Sequence, residues 1–276
     1  MTRVYLLKTG FSNLENELAS VLDDTRLHTT VKNKKSILIK PNLVVAEPPS
    51  TGLTTDPRTV AAIIRWLVNK ADVDKKNIIV GEGGITGSTD RAFEVSGMIG
   101  MAAELGIKTV NLNKDERIEV RVPDPLSLKT ASLARTAVEA DFIISVPSLK
   151  IHSMAVTTLS LKNMMGAILP KGVMHTELDK RIADLCSVVK PDLAVIDGII
   201  AAEIDEVNGS PVEMNTVIIS TDPVAADAVG SAVMGIDPEQ LDYLKHAEEK
   251  RLGTRDLAEI HVKGNSIENV LKKFKR

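Results

Sequence analysis

The feature that most constrains this chain is a series of short, nearly unbroken runs of β-branched and aliphatic residues: SILI at 36–39, NIIV at 77–80, FIISV at 142–146, LAVI at 193–196 and TVII at 216–219. A strand that alternates apolar and polar residues covers one sheet face, whereas a continuous run reads as a strand buried on both faces, as in a parallel sheet between helices. Longer segments of helical period separate the runs, and this alternation predicts an α/β fold. Val4–Leu7, Lys108–Leu112 and Ile260–Lys263 read as further strands, and Ile118–Val122 before Pro123 reads as an edge arm. Asp56-Pro57, Asp222-Pro223 and Asp237-Pro238 each place a cap residue before a proline at the first helical position. Two apolar helices are expected at 155–170 and 223–235, and a basic amphipathic helix at 266–276. The expected architecture is a mostly parallel or mixed sheet with helices on both faces, with room for two packed lobes. No repeat or Ser/Pro-rich linker divides residues 1–276, so a single domain is expected.

Composition removes several classes of function. Lys plus Arg number 34 against 37 Asp plus Glu, a net charge of -3, which gives no general attraction to phosphate backbones and argues against a nucleic-acid partner. Cys186 is the single cysteine. It cannot form an internal disulfide, a Cys-based zinc knuckle or a four-Cys iron–sulfur site, and it reads as a small core residue in a reducing, cytoplasmic compartment. The apolar part of MTRVYLLKTG is too short for a signal peptide, and no run nears the roughly 18 apolar residues of a membrane span, so no membrane partner is expected. The aromatics are one Trp, two Tyr and four Phe, and none stands between Ile143 and Asp242. A ligand recognised there is held by charge and hydrogen bonds rather than by stacking.

Each apolar run ends in polar residues: Lys40-Pro41-Asn42, Gly81-Glu82-Gly83-Gly84, Lys150-Ile151-His152, Asp197-Gly198 and Thr221-Asp222-Pro223. Ligands of open parallel sheets bind beyond the carboxyl ends of the strands, so these residues are expected along one edge. Lys162 and Asp227 are the lone charges of the two apolar helices, which points to a direct contact between them or to a cavity they share. Thr158 precedes Lys162 by one helical turn, with Asn163 and Gly166 beside it. Lys150 and His152 share a strand parity, and His175 follows on the far side of the Lys162 helix. Two ammoniums and an imidazole in one cleft suit a carboxylate or phosphate, and their crowding lowers a lysine pKa toward that of a useful base. His28, His246 and His261 read as surface or core residues. Asp197, Glu203, Asp205 and Asp222 are hard oxygen ligands for a divalent ion such as magnesium, although Asp222 is equally an N-cap. GEGGITGSTD lacks the Walker A ending and the third glycine of a dinucleotide loop, yet it joins a strand to a helix and offers an anion cradle near Ser88 and Thr89.

These residues together resemble the domain-of-unknown-function family 362. The resemblance is carried by KPNLV, PSLKIHSMAVTTLSLKNMMG, VIDGI and STDPVAADAVG, from about Lys40 to about Gly230. It implies motif positions at Lys40, Asn42, Lys150, His152, Lys162, Asn163, Gly166, Asp197, Asp222 and Asp227. Many relatives resemble fusions with ferredoxin-type cysteine motifs, which implies redox partners for them; Cys186 alone cannot hold a cluster here. AAEIDEVNGSP after VIDGI is longer than the family's short loop.

Two classes of function stay open. The first is an enzyme acting on a small anionic metabolite, with Lys162, His152 and Asp227 catalytic and Lys40, Asn42, Lys150, Asn163, His175 and Asp197 holding the substrate. The second is a non-catalytic protein that holds a metal, a cofactor precursor or a redox partner. No nucleophile elbow or nucleotide motif selects a reaction or an organic cofactor, and the sequence does not fix the oligomeric state, a homo-oligomer being compatible with this size.

Overall fold

The apolar runs form the centre of one large sheet in the computed structural model, which describes residues 2–276. The strands are β1 (Thr2–Lys8), β2 (Ile37–Pro41), β3 (Ile78–Glu82), β4 (Lys108–Asn111), β5 (Arg117–Arg121), β6 (Thr130–Ala134), β7 (Phe142–Val146), β8 (Ser148–His152), β9 (Val156–Thr158), β10 (Ile168–Leu169), β11 (Leu193–Glu203), β12 (Ser210–Ser220) and β13 (Ile260–Gly264). The helices are α1 (Leu14–Asp24), α2 (His28–Val31), α3 (Pro57–Asn69), α4 (Thr89–Val95), α5 (Met98–Leu105), α6 (Arg135–Val138), α7 (Ser160–Asn163), α8 (Leu178–Cys186), α9 (Pro223–Val233), α10 (Asp242–Glu249) and α11 (Ile267–Val270). The main sheet runs β13-β1-β12-β11-β7-β2-β3-β4, with β8 and β9 attached beside β11. Neighbours from β11 to β4 are parallel, whereas β12 is antiparallel to both β11 and β1. β5, β6 and β10 form a separate small sheet.

Side-chain alternation along these strands divides the core in two. Ile37 and Ile39, Phe142 and Ile144, and Leu193 and Val195 pack with α1, α3, α4 and α5 on one face. Leu38, Ile143, Ala194 and Ile196 pack with α7 to α10 and β6 on the other. The fold is therefore mixed α/β with helices on both faces of the sheet. Among the described residues no helix is long and apolar enough to cross a membrane.

Three local readings are corrected. Residues 155–170 are not one helix: β9, the single turn α7, a 3-10 turn at Met164–Ala167 and β10 follow one another. Val156 has φ 66 and Leu159 is extended, so Thr158 is not one helical turn before Lys162. The terminal helix is only α11; beyond it the chain runs extended, with Lys272 N–H donating to the Val233 carbonyl and Phe274 N–H to that of Met234. Backbone bonding to the end of α9 there replaces helical bonding. β11 and β12 are 11 residues each, far longer than LAVI and TVII, and their tip carries residues 204–209 over the β8–β9 hairpin. The neck of that tip is tied to the chain's end, because Ile204 N–H donates to the Lys275 carbonyl and Lys275 N–H to Glu203 Oε2, each at 2.9 Å.

The irregular segment before β6 is held by one carboxylate. Asp184 on α8 accepts the backbone N–H groups of Leu126, Ser127 and Leu128 at 2.9, 2.8 and 2.8 Å and pairs with Lys250 at 3.1 Å. Burial raises its pKa, but those three N–H bonds outweigh it and hold the carboxyl below its ordinary value. Asp184→Ala is expected to lower the unfolding free energy by about 3 to 5 kcal/mol in urea titrations at neutral pH, since it strands three backbone donors and removes the carboxylate that pairs with Lys250. Because a depressed pKa stabilises above the unfolded value and is lost in acid, the difference from wild type shrinks as pH falls below about 4. A loss under about 1 kcal/mol at neutral pH would show that other contacts hold the segment.

Candidate functional site

The carboxyl ends of β2 and β3 meet α7 in a buried polar network. Lys40 is fully buried, and its three ammonium hydrogens go to Glu82 Oε2 at 2.8 Å, Asn163 Oδ1 at 2.9 Å and the Pro41 carbonyl at 3.1 Å. Burial pushes its pKa down while the Glu82 charge opposes that shift. Glu82 also accepts the N–H groups of Leu43 and Gly83 at 3.1 and 2.6 Å. Asn163 Nδ2 donates to the Lys40 carbonyl and to Ser145 Oγ, and Asn42 Nδ2 donates to Asn163 Oδ1. Gly166 is required by this crowding: a Cβ there would strike Glu82 Oε1 and stand 2.5 Å from Lys40 Cε. Lys40, Asn42, Asn163 and Gly166 thus form one internal staple between two strands and α7. Lys40 spends its three donors inside it and does not line the cavity above.

A cavity of about 420 Å³ opens above the staple. Asn42, Asn163, His152, Lys162 and His175, all singled out in the sequence, line it, together with Glu82, Lys171 and Glu206. Lys150 lies behind the wall, completely buried, donating to the carbonyls of Leu53 at 2.7 Å and Glu206 at 3.3 Å. Burial, with the Lys162 charge adding to it, lowers its pKa to about 7. Lys171 donates to the carbonyls of Met165 and Gly166 at 3.0 and 2.9 Å and is likewise lowered by burial to about 7. Lys162 differs from these lysines: among the described residues its ammonium has no hydrogen bond and no ion pair. Burial is the main cause of its fall to about 8, with Lys40 adding and Glu206 opposing.

His152 is held as a neutral ring. Its Nδ1 accepts the N–H groups of Met154 and Ala155 at 3.0 and 3.2 Å, which leaves the proton on Nε2, 3.5 Å from Glu206 Oε1. Burial, then the Lys162 charge, keep its pKa well below the ordinary histidine value. Glu206 accepts the N–H and the hydroxyl of Ser153 at 2.9 and 3.0 Å. Burial pushes its pKa up, but the Ser153 N–H bond and further bonds bring it below the usual carboxylate value. Two buried atoms at the cavity wall, Asn42 Oδ1 and Thr158 Oγ1, have no protein partner.

The aspartates lie elsewhere. Asp227 does not pair with Lys162: its Oδ1 and Oδ2 accept the N–H groups of Ser160 and Leu161 at 2.7 and 3.0 Å, so it holds the first turn of α7 from behind. Burial raises its pKa to about 8. Asp197 accepts the N–H groups of Asp56 and Ile199 at 2.9 and 3.3 Å at the start of α3, and burial raises it to about 7. Asp222 caps α9 through Val224 and Ala225 N–H, at the opposite sheet edge, because antiparallel β12 ends there. A divalent ion shared by Asp197 and Asp222 therefore has no geometric basis, and among the described residues no three His, Cys, Asp or Glu side chains are grouped to hold a metal. Of the glycine run, Gly83 to Thr86 reach the cavity while Ser88 and Thr89 do not. Cys186 is buried, with burial pushing its thiol pKa up. Lys171 and Glu206 were not found in the sequence; LPKG nine residues beyond Lys162 and the long β11–β12 loop were the available signals.

Comparison with known proteins follows this geometry. The chain is 28% identical over 238 residues to the thylakoid-associated protein sll1697 of Synechocystis sp., covering 83% of this chain and 71% of that protein. Among solved structures it is similar to the lactate racemase apoprotein from Thermoanaerobacterium thermosaccharolyticum, with a TM-score of 0.47 and 12% identity over 86% of this chain, and it spans 58% of that enzyme's length. The profile described as domain of unknown function DUF362 matches residues 37–232, the stretch that carries the staple and the cavity, and the chain belongs to the DUF362 family.

Proposed function

We propose that the cavity binds a small anionic metabolite, a carboxylate or a phosphate, and that the protein is an enzyme in which Lys162 meets that substrate and exchanges a proton with it. The observation that supports this is the Lys162 ammonium, which lines the cavity and, among the described residues, makes neither hydrogen bond nor ion pair, the Glu206 carboxylate acting on it only across the cavity. Lys162 is half-buried, and a partly desolvated ammonium without a partner gains from an anion bound beside it. Lys171, with one ammonium hydrogen still free after Met165 and Gly166, is a second contact for the anion. His152 offers Nε2–H as a neutral donor, so it orients the ligand without adding charge. Burial, with the Lys40 charge adding to it, brings the Lys162 pKa to about 8, near the range where a lysine works as both acid and base. Asp227 is a positioning residue: it fixes the turn that carries Lys162.

Inorganic phosphate and short carboxylates are expected to raise the Tm of the wild-type protein, with the shift lost in Lys162→Ala and reduced in His152→Ala. The shift holds below about pH 7 and declines as pH rises past about 8, where free Lys162 loses its proton. An unchanged shift in Lys162→Ala would overturn the reading.

The free protein carries a converse signature. The folded pKa of Lys162, about 8, lies below the unfolded value of about 10.4. Between them the unfolded chain binds more protons, so this residue's contribution to stability grows as pH rises. Lys162→Met is therefore expected to raise the Tm at pH 7 in the absence of ligand, by roughly 2 to 4 °C per kcal/mol gained, and the gain to shrink between pH 8 and 10. A gain independent of pH would place the effect in packing rather than charge.

A further inference from the structure

We propose, resting on the anion-site reading above, that the anion this cavity takes carries an apolar chain: a medium-chain acyl carboxylate or alkyl phosphate rather than a compact hydrophilic metabolite. The cationic floor is surrounded by an apolar mouth. Val44, Ile85, Met165 and Val207 line it, each from a different segment, and Ile85 and Val207 are 49% and 39% exposed. Met154 and Ile204, 54% and 42% exposed, stand on the segments that flank the Ser153–Glu206 contact. Among the described residues, two of the eight exposed large apolar side chains, Ile85 and Val207, thus line one opening. Scattered exposed apolar residues are ordinary, but a cluster at the mouth of a charged cavity marks a surface that a ligand covers.

The mouth is built rather than loose. Ile85 N–H donates to the Val44 carbonyl at 3.3 Å, and the Ile85 carbonyl accepts the N–H and hydroxyl of Ser88. Asp205 Oδ1 accepts the N–H groups of Val207 and Asn208, which sets the turn that presents Val207. No Phe, Tyr or Trp among the described residues lines the cavity, and the apolar surface formed by Val44, Ile85, Met165 and Val207 is aliphatic, which suits an aliphatic chain. The volume of about 420 Å³ lies in the range of sites for small molecules and exceeds what a bare carboxylate or phosphate needs. A head group on Lys162 and Lys171 leaves its chain leading outward past Ile85 and Val207.

The test is titration of the full chain with acetate, butanoate, hexanoate and octanoate below their micellar concentrations, with octyl phosphate as a second arm that separates the two head groups. Ile85→Ser/Val207→Ser is the variant, with both positions exposed and outside the residues assigned to proton transfer. Wild-type affinity is expected to rise with chain length, by up to about fourfold for each methylene buried. The double variant is expected to bind acetate as wild type does and to lose most of the rise. Affinity independent of chain length, with acetate binding intact, would overturn the inference while leaving the anion site standing. Failure of every carboxylate and of octyl phosphate to bind wild type would overturn both. Sedimentation of wild type, but not of the double variant, with phosphatidylcholine/phosphatidylglycerol vesicles would assign the mouth to a lipid surface and overturn the inference as well.

Discussion

The Lys40–Glu82 ion pair governs the arrangement of the site. Both side chains are within 1% of full burial, and the attraction between them, 2.8 Å apart, compensates the removal of two charges from water only because Asn163, Leu43 and Gly83 complete their hydrogen bonds. The pair joins adjacent parallel strands to the turn that follows them. Gly166 lets that turn descend onto the pair, while Lys162, the third residue of α7, faces the cavity instead of being absorbed by the same network. One lysine is neutralised so that another can stay free.

This division of labour explains how four lysines can gather at one sheet edge. Lys40 is balanced by a carboxylate, while Lys150 and Lys171 rest on backbone carbonyls, whose partial charges hold an ammonium without cancelling it. Lys162 stands against the field left over. Asp227 could have neutralised it, yet it is turned into the back of α7, where it satisfies two N–H groups that a helix of this length leaves open.

The central strands were legible because SILI, NIIV and FIISV are too apolar to lie anywhere but in a sheet covered on both faces. That Asn42, His152, Lys162, Asn163 and His175 share one cavity was legible because polar groups beyond such strands converge. Strand direction was not. Asp222 follows an apolar run like the others, but nothing in TVIIS shows that β12 runs backwards and carries it to the far edge. The segment 155–170 has helical spacing of apolar residues, which cannot reveal a positive φ at Val156 or the 3-10 turn forced by Gly166 against Lys40. Glu206 and Lys171 depend on where two loops fold back, a property of tertiary packing that single-residue patterns do not carry.

The ties between Ile204, Glu203 and Lys275 give the β11–β12 hairpin a mechanical character. Its base is pinned on one side by the chain's last residues, and its tip is pinned on the other by Glu206 on Ser153. The hairpin therefore behaves as a beam clamped at both ends rather than a free flap. Only Asp205 lies between the two clamps, and the chain's last residues, anchored in the core by Phe274, are thereby tied to the wall of the cavity.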